Sequence, residues 1–320
     1  MPLDHPVVSS LVPVVLLILV GVVAGYLRLI RQEAVTDLSN LVFLVLTQAL
    51  LFRTMSSVHV EQLDFGPVSL YFAVAAGLFA ALVFLQGANS RAAVLALGGT
   101  FSNTIMIGVP LVGLAYGEAA LVLLFTLISL HALFLLTLAT IVLELLQARE
   151  QSQAGLVEQR HSLHTIALAV RNAVIHPVPL PIIAGLLFAQ TGWTLHPLVD
   201  RPLQLLGNAF GPVALVLVGV TLSQASIGKE LKGAVALSAI KTLLHPLLMA
   251  LAGWAFGLRG VSLTVLVVAA SLPIGANVFL FAHRYQRAQN LVSAGMAVST
   301  IFALLSVTLV MLLLPLIGGV

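Results

Sequence analysis

The chain has 320 residues, of which 60% are apolar and only 8% charged. A soluble domain carries roughly 25% charged residues, so this composition excludes an ordinary water-exposed surface and places lipid around the protein. Cysteine is absent, which excludes disulfides and thiolate metal sites, and the formal charge of +3 comes without the clustered Lys/Arg of a nucleic-acid binder.

A bilayer core about 30 Å thick requires about 20 apolar residues per helix. That length places spans near 8–27, 38–55, 67–86, 92–116, 118–146, 177–191, 202–223, 233–257, 261–284 and 290–316. Met1 to Ser10 lack the basic start of a signal peptide, so the first span reads as retained. The sixth span is short and carries Pro177, Pro179 and Pro181. Residues 147–176 form a polar cytoplasmic linker, in which Ser162 to Ile175 reads as an amphipathic interfacial helix. The expectation is an all-α polytopic membrane protein of ten transmembrane helices.

Charge partition sets the topology. With both termini outside, inner loops hold Arg28, Arg31, Arg91, Arg149, Arg160, Arg171, Lys229, Lys232, Arg284 and Arg287, and outer loops hold only Arg53, Arg201 and Arg259. Five spans precede the linker and five follow it, so 1–146 and 177–320 read as two inverted five-helix repeats. Each half carries an interrupted fourth span, the broken crossover helices 4 and 9 of a secondary transporter.

The first interruption runs Ser102-Asn103-Thr104-Ile105-Met106-Ile107-Gly108-Val109-Pro110, and the second Ser271-Leu272-Pro273-Ile274-Gly275-Ala276-Asn277. Proline removes a backbone donor, and Asn can cap the helix that resumes. Freed backbone at this depth must be buried in protein or line a cavity. Two half-helix N-termini meeting at mid-depth form a site for a carboxylate or another anion. Asn103, Thr104, Gly108, Pro110, Pro273, Gly275 and Asn277 are therefore the expected substrate-binding residues. An ordinary kink is the competing reading of either segment alone. Gln48, a lone polar residue in the second span, reads as interhelical glue or as cavity wall, and Arg53 as a snorkelling side chain.

Nearly all acids fall in loops or at helix ends; Glu144 alone is within a span, near its cytoplasmic end. Ion-coupled carriers usually keep a carboxylate at mid-depth, so the common sodium or proton designs are disfavoured. Lys241 and His245 share one face of the eighth span. Lys241 either attracts an anionic substrate or couples transport to a proton, or it is a structural lysine on carbonyls freed by a broken helix. His131, mid-span in the fifth helix, reads as a hydrogen-bonded packing residue. His59, His161, His164, His176 and His196 read as solvated or capping. Gly98-Gly99-Thr100 lacks the lysine of a phosphate loop, and neither a cofactor nor a metal is expected.

These motifs, in order and spacing, resemble the auxin efflux carrier family, which includes plant auxin exporters and bacterial malate-permease-like proteins. The resembling residues are Gln48 to Phe52, Asn103 with Gly108-Val109-Pro110 and Gly117-Glu118, Leu217 to Leu222, Lys241 to Pro246, and Pro273, Asn277, Ala282, Tyr285 and Ser299-Thr300. The resemblance implies an elevator mechanism, with scaffold helices 1, 2, 6 and 7, often dimeric, and transport helices 3–5 and 8–10. It implies substrate at the crossover. Gln48 departs from the family's usual proline. The leading expectation is a carrier for a small organic anion, a carboxylate, in a bacterial inner membrane, and not an enzyme. The rivals are a sodium-coupled symporter of the bile-acid type and an intramembrane enzyme or sensor.

Overall fold

A computed structural model describes residues 6–58, 63–153, 179–224 and 228–318. The expected linker helix, and His59, His161, His164 and His176, lie outside the described residues. Among the described residues no named strand occurs, and the helices follow in order. They are α1 (Pro6–Tyr26), α2 (Gln32–Leu41), α3 (Thr47–Met55), α4 (Phe65–Leu85), α5 (Ser90–Thr100), α6 (Val109–Gln153) and α7 (Pro179–Gln190). There follow α8 (Pro197–Ser223), α9 (Leu231–Ala239), α10 (His245–Ala255), α11 (Gly260–Ser271), α12 (Ala276–Arg284) and α13 (Gln289–Leu313). Three π-helical turns, Val42–Leu46, Thr104–Gly108 and Ile240–Leu244, continue into α3, α6 and α10.

Among the described residues, six helical runs are long and apolar enough to cross a membrane: Glu33–Met55, Phe65–Leu85, Thr104–Gln153, Pro197–Ser223, Gly228–Ala255 and Gln289–Leu316. Leu11–Tyr26, Leu180–Gln190 and Gly260–Ser271 are shorter apolar helices. The 50-residue run Thr104–Gln153 is divided at Gly117, whose φ of 75° and ψ of −170° no helix contains. That backbone region is essentially reserved for glycine. Exposed Leu16, Leu19, Leu205, Leu251, Leu305 and Leu309 present an apolar exterior, as a polytopic membrane protein requires.

Two helix limits differ most from the sequence expectation. The second helical run begins at Gln32, ahead of residue 38, because Gln32–Leu41 is amphipathic and its polar residues hide it from a hydropathy ruler. The fifth runs on to Gln153 because Gln147 to Gln153 contain neither glycine nor proline. That extension has a use. The Glu150 carboxylate accepts from the Ser90 N–H at 2.6 Å and its hydroxyl at 3.0 Å, capping α5, and Arg287 Nε donates to the same hydroxyl at 3.0 Å.

Packing follows small residues. α1 lies most extensively against α8, where Gly21 and Gly25 form a small-xxx-small step opposite Gly219. A Cβ at Gly219 would overlap the Ile18 carbonyl oxygen and fall 2.7 Å from the Val22 nitrogen, so the backbones meet directly. α3 packs on α7 and α8, α4 on α5, α9 on α13, and α11 on α6 and α10. The innermost segments are α5, buried apart from Arg91, and the stretch Leu263–Ser271 of α11. Both lead directly into the interruptions, so the non-helical backbone lies inside protein as lipid demands.

Candidate substrate site

Proline starts the second break. Pro273 cannot continue α11 and biases its predecessor toward extended backbone; Leu272 accordingly sits at φ −63°, ψ 156°. The first break opens at Phe101, also extended at φ −86°, ψ 113°. The two extended stretches then pair, with Ser102 opposite Ile274 in an antiparallel bridge. Asn103 N–H donates to the Pro273 carbonyl at 2.8 Å, and Gly275 N–H donates to the Phe101 carbonyl at 3.0 Å. Gly275 permits this approach, since a Cβ there would stand 2.8 Å from Phe101 Cδ1 and 2.9 Å from the Ser102 oxygen. Ser299 Oγ accepts from Ile274 N–H at 3.1 Å, and the Tyr71 and Ser102 hydroxyls lie 3.2 Å apart.

Helix resumes on both sides of the bridge. Asn103 caps the first resumption, its side-chain oxygen accepting from Met106 N–H at 3.3 Å. Gly275 precedes the second, at Ala276. The opening N–H groups of each resumed helix have no partner within it and carry partial positive charge.

Beside the bridge is a cavity of about 240 Å³. The first break lines it with Phe101, Ser102, Asn103, Thr104 and Ile105, and the second with Gly275, Ala276, Asn277 and Leu280. α6 adds Ile128, His131 and Ala132, and the π turn before α3 adds Phe43. Among the described residues, none that lines it is a carboxylate, a lysine or an arginine. The arrangement offers backbone N–H groups, one carboxamide free of the cap, and small hydroxyls. Drug-sized pockets run to roughly 300–1,000 Å³, so this one suits a small, compact solute.

Of the residues expected from sequence, Asn103, Thr104, Gly275 and Asn277 meet at this wall. Pro273 is next to it and gives its carbonyl to the bridge. Gly108 lies behind, where its missing Cβ leaves room for Leu272. Pro110 faces Gly211 of α8. Gln48 is not on the wall. Its amide donates to the Phe43 carbonyl at 2.9 Å, and the Thr47 hydroxyl donates to Val42 at 2.7 Å, satisfying carbonyls of the π turn. The helix thus changes its ladder through a π turn beside the position where the resembling family has proline, and Phe43 reaches the cavity from it.

Lys241 and His245 are fully buried and off the wall. Lys241 Nζ donates to Ala270 O at 2.6 Å and Leu272 O at 2.8 Å, the carbonyls that end α11 at the break. This is the geometry of the structural lysine, a cation at a helix C-terminus. Pro246 has no N–H to offer the Thr242 carbonyl, and the Ser306 hydroxyl donates to it instead. Neither ring nitrogen of His245 has a hydrogen-bond partner among the described residues.

Sequence reasoning missed two features. His131, expected as a packing residue, is on the cavity wall, and its Nε2 has no partner among the described residues. Its position mid-span, on a helix beside the interruption, was the available signal. Arg53 does not simply snorkel: its guanidinium pairs with Asp200 at 2.7 and 3.3 Å, joining α3 to α8. His196 caps α8 as expected, accepting from Leu198 N–H at 3.3 Å.

Residues 6–311 match the family described as "Membrane transport protein". A Rhizobium meliloti (strain 1021) protein named "Putative malonate transporter" is 29% identical over 297 residues, covering 89% of each chain. "Auxin efflux carrier component 8" of Arabidopsis thaliana is 23% identical over 239 residues, 63% of this chain and 65% of that one.

Proposed function

The chain belongs to the membrane transport protein family, and on that premise we propose that it is an elevator-type carrier of a small organic anion, a carboxylate. It is a transporter and not an enzyme, as are the relatives it matches. The observation that carries the substrate class is the cavity at the two breaks. Two helix N-termini open there, with Asn103 and Asn277 on one wall and no acidic residue among its lining. A carboxylate would be held by N–H dipoles and the Asn277 amide, a preorganised setting that needs no fixed positive charge. The malonate assignment of the Rhizobium relative points the same way.

The proposed frame is ten spans in two inverted five-helix halves, with both termini outside and the chain in a bacterial inner membrane. The charge partition supports the orientation, and the antiparallel pairing of Ser102 with Ile274 suits halves of opposite sense. The scaffold would be α1 to α3 with α7 and α8, which pack on one another. The transport part would be α4 to α6 with α9 to α13, where both breaks lie. A homodimer through the scaffold belongs to the same proposal. The lack of an acid on the cavity wall favours this reading over the sodium-coupled bile-acid type.

Malonate uptake into proteoliposomes tests the site. Asn103→Ala and Asn277→Ala should each reduce uptake at least tenfold while the protein keeps its melting temperature within a few degrees. Wild-type rates in both variants would sink the assignment.

A further inference from the structure

Among the described residues, the cavity wall has no carboxylate and one titratable side chain, His131. The His131 ring is 2% exposed, stands 4.3 Å centroid to centroid from Phe101, and presents an Nε2 with no partner among the described residues. A buried nitrogen left unpaired is unusual, so its place beside a cavity calls for a ligand.

The groups around it are few. α4 brings Tyr71, with its ring centroid 6.1 Å away and its hydroxyl engaged with Ser102. α10 brings His245, whose ring is 5.5 Å from that of Tyr71. The π turn before it brings Lys241, close enough to act electrostatically on both imidazoles, but its donors are already spent on Ala270 and Leu272. The one charged residue of α5, Arg91, is exposed at the end of that helix away from the break. Asn103 has its oxygen in the helix cap. Among the described residues lining the cavity, His131 is thus the one titratable side chain, and it is buried with an unpartnered ring nitrogen.

We infer that His131 is a proton-binding residue of the anion site, so that the anion and one proton are carried together. This rests on the anion site proposed above. No covalent bond forms or breaks. The imidazole nitrogen takes a proton from water on the loading side as the carboxylate enters, and both leave on the other side. The imidazolium would donate to the carboxylate, and each ligand strengthens the binding of the other by the same factor, as linkage requires. The transported pair then carries one negative charge fewer than the anion alone.

Calorimetry on the purified carrier tests this, with malonate as the probe at a pH where it is fully ionised, in two buffers of different ionisation enthalpy. Wild type is expected to take up close to one proton per malonate bound, and its affinity to rise up to about tenfold for each pH unit lowered. His131→Gln should bind malonate with no proton uptake and a flat pH dependence, its melting temperature confirming the fold. Malonate binding by wild type without proton uptake overturns the inference and leaves the anion site standing. Undiminished uptake in His131→Gln overturns the assignment to this residue. If wild type binds no malonate, the anion site falls, and this inference with it.

Discussion

The ammonium of Lys241 donates to the carbonyl of Leu272 at 2.8 Å, inside the second break. A second bond at 2.6 Å reaches Ala270, and the residue is completely buried. Removing the ammonium orphans two buried carbonyls, each worth about 1–3 kcal/mol. Lys241→Met is predicted to lower the melting temperature in detergent markedly and to reduce transport through misfolding. A variant as stable as wild type that has lost only anion affinity would instead return Lys241 to the role of substrate attractor.

The Arg53–Asp200 pair should contribute little. Its side chains are 30% and 32% exposed, and ion pairs of this kind are worth roughly 0.2–1 kcal/mol and are screened by salt. Asp200→Asn is therefore predicted to cost less than about 1 kcal/mol in denaturant unfolding, with the difference shrinking in high salt.

Much of the site was legible in the sequence because it is written in local chemistry. Pro273 has no N–H to continue a helix ladder and Gly275 loosens one, and Asn103 caps one within three residues. What could not be read depends on partners far along the chain. Lys241 had two readings until its acceptors, 29 and 31 residues on, were in place. The bridge between Ser102 and Ile274 has no local signature, and neither does the burial of His131 against Phe101. The π turns likewise leave no sequence period, so nothing local marked Phe43 for the wall. The order and spacing of weak motifs nevertheless identified the family.

Two glycines separate conformation from contact. At Gly117 an added methyl would meet nothing within 4 Å, but the backbone holds φ at 75°. Gly117→Ala is predicted to destabilise by about 1–3 kcal/mol through backbone strain alone. Gly77, mid-helix in α4, is equally open, with ordinary helical torsions. Gly77→Ala should be neutral or stabilising by about 0.5–1 kcal/mol. Thermal unfolding of the pair checks both signs.

Gly275→Ala brings a methyl to within 2.9 Å of the Ser102 oxygen, a backbone atom that cannot step aside without loosening the bridge. Malonate uptake is expected to fall at least tenfold with little loss of expressed protein. Retained uptake would mean that the bridge can part during the transport cycle.

The bridge has a mechanical corollary. Asn103 and Gly275 each lend an N–H to the opposite break, so the two interrupted helices are yoked at their midpoints like crossed blades sharing a rivet. Neither could swing aside alone without breaking both bonds. In the proposed carrier, whatever opens the cavity to one side would carry the yoke, and everything fastened to it, as a single piece.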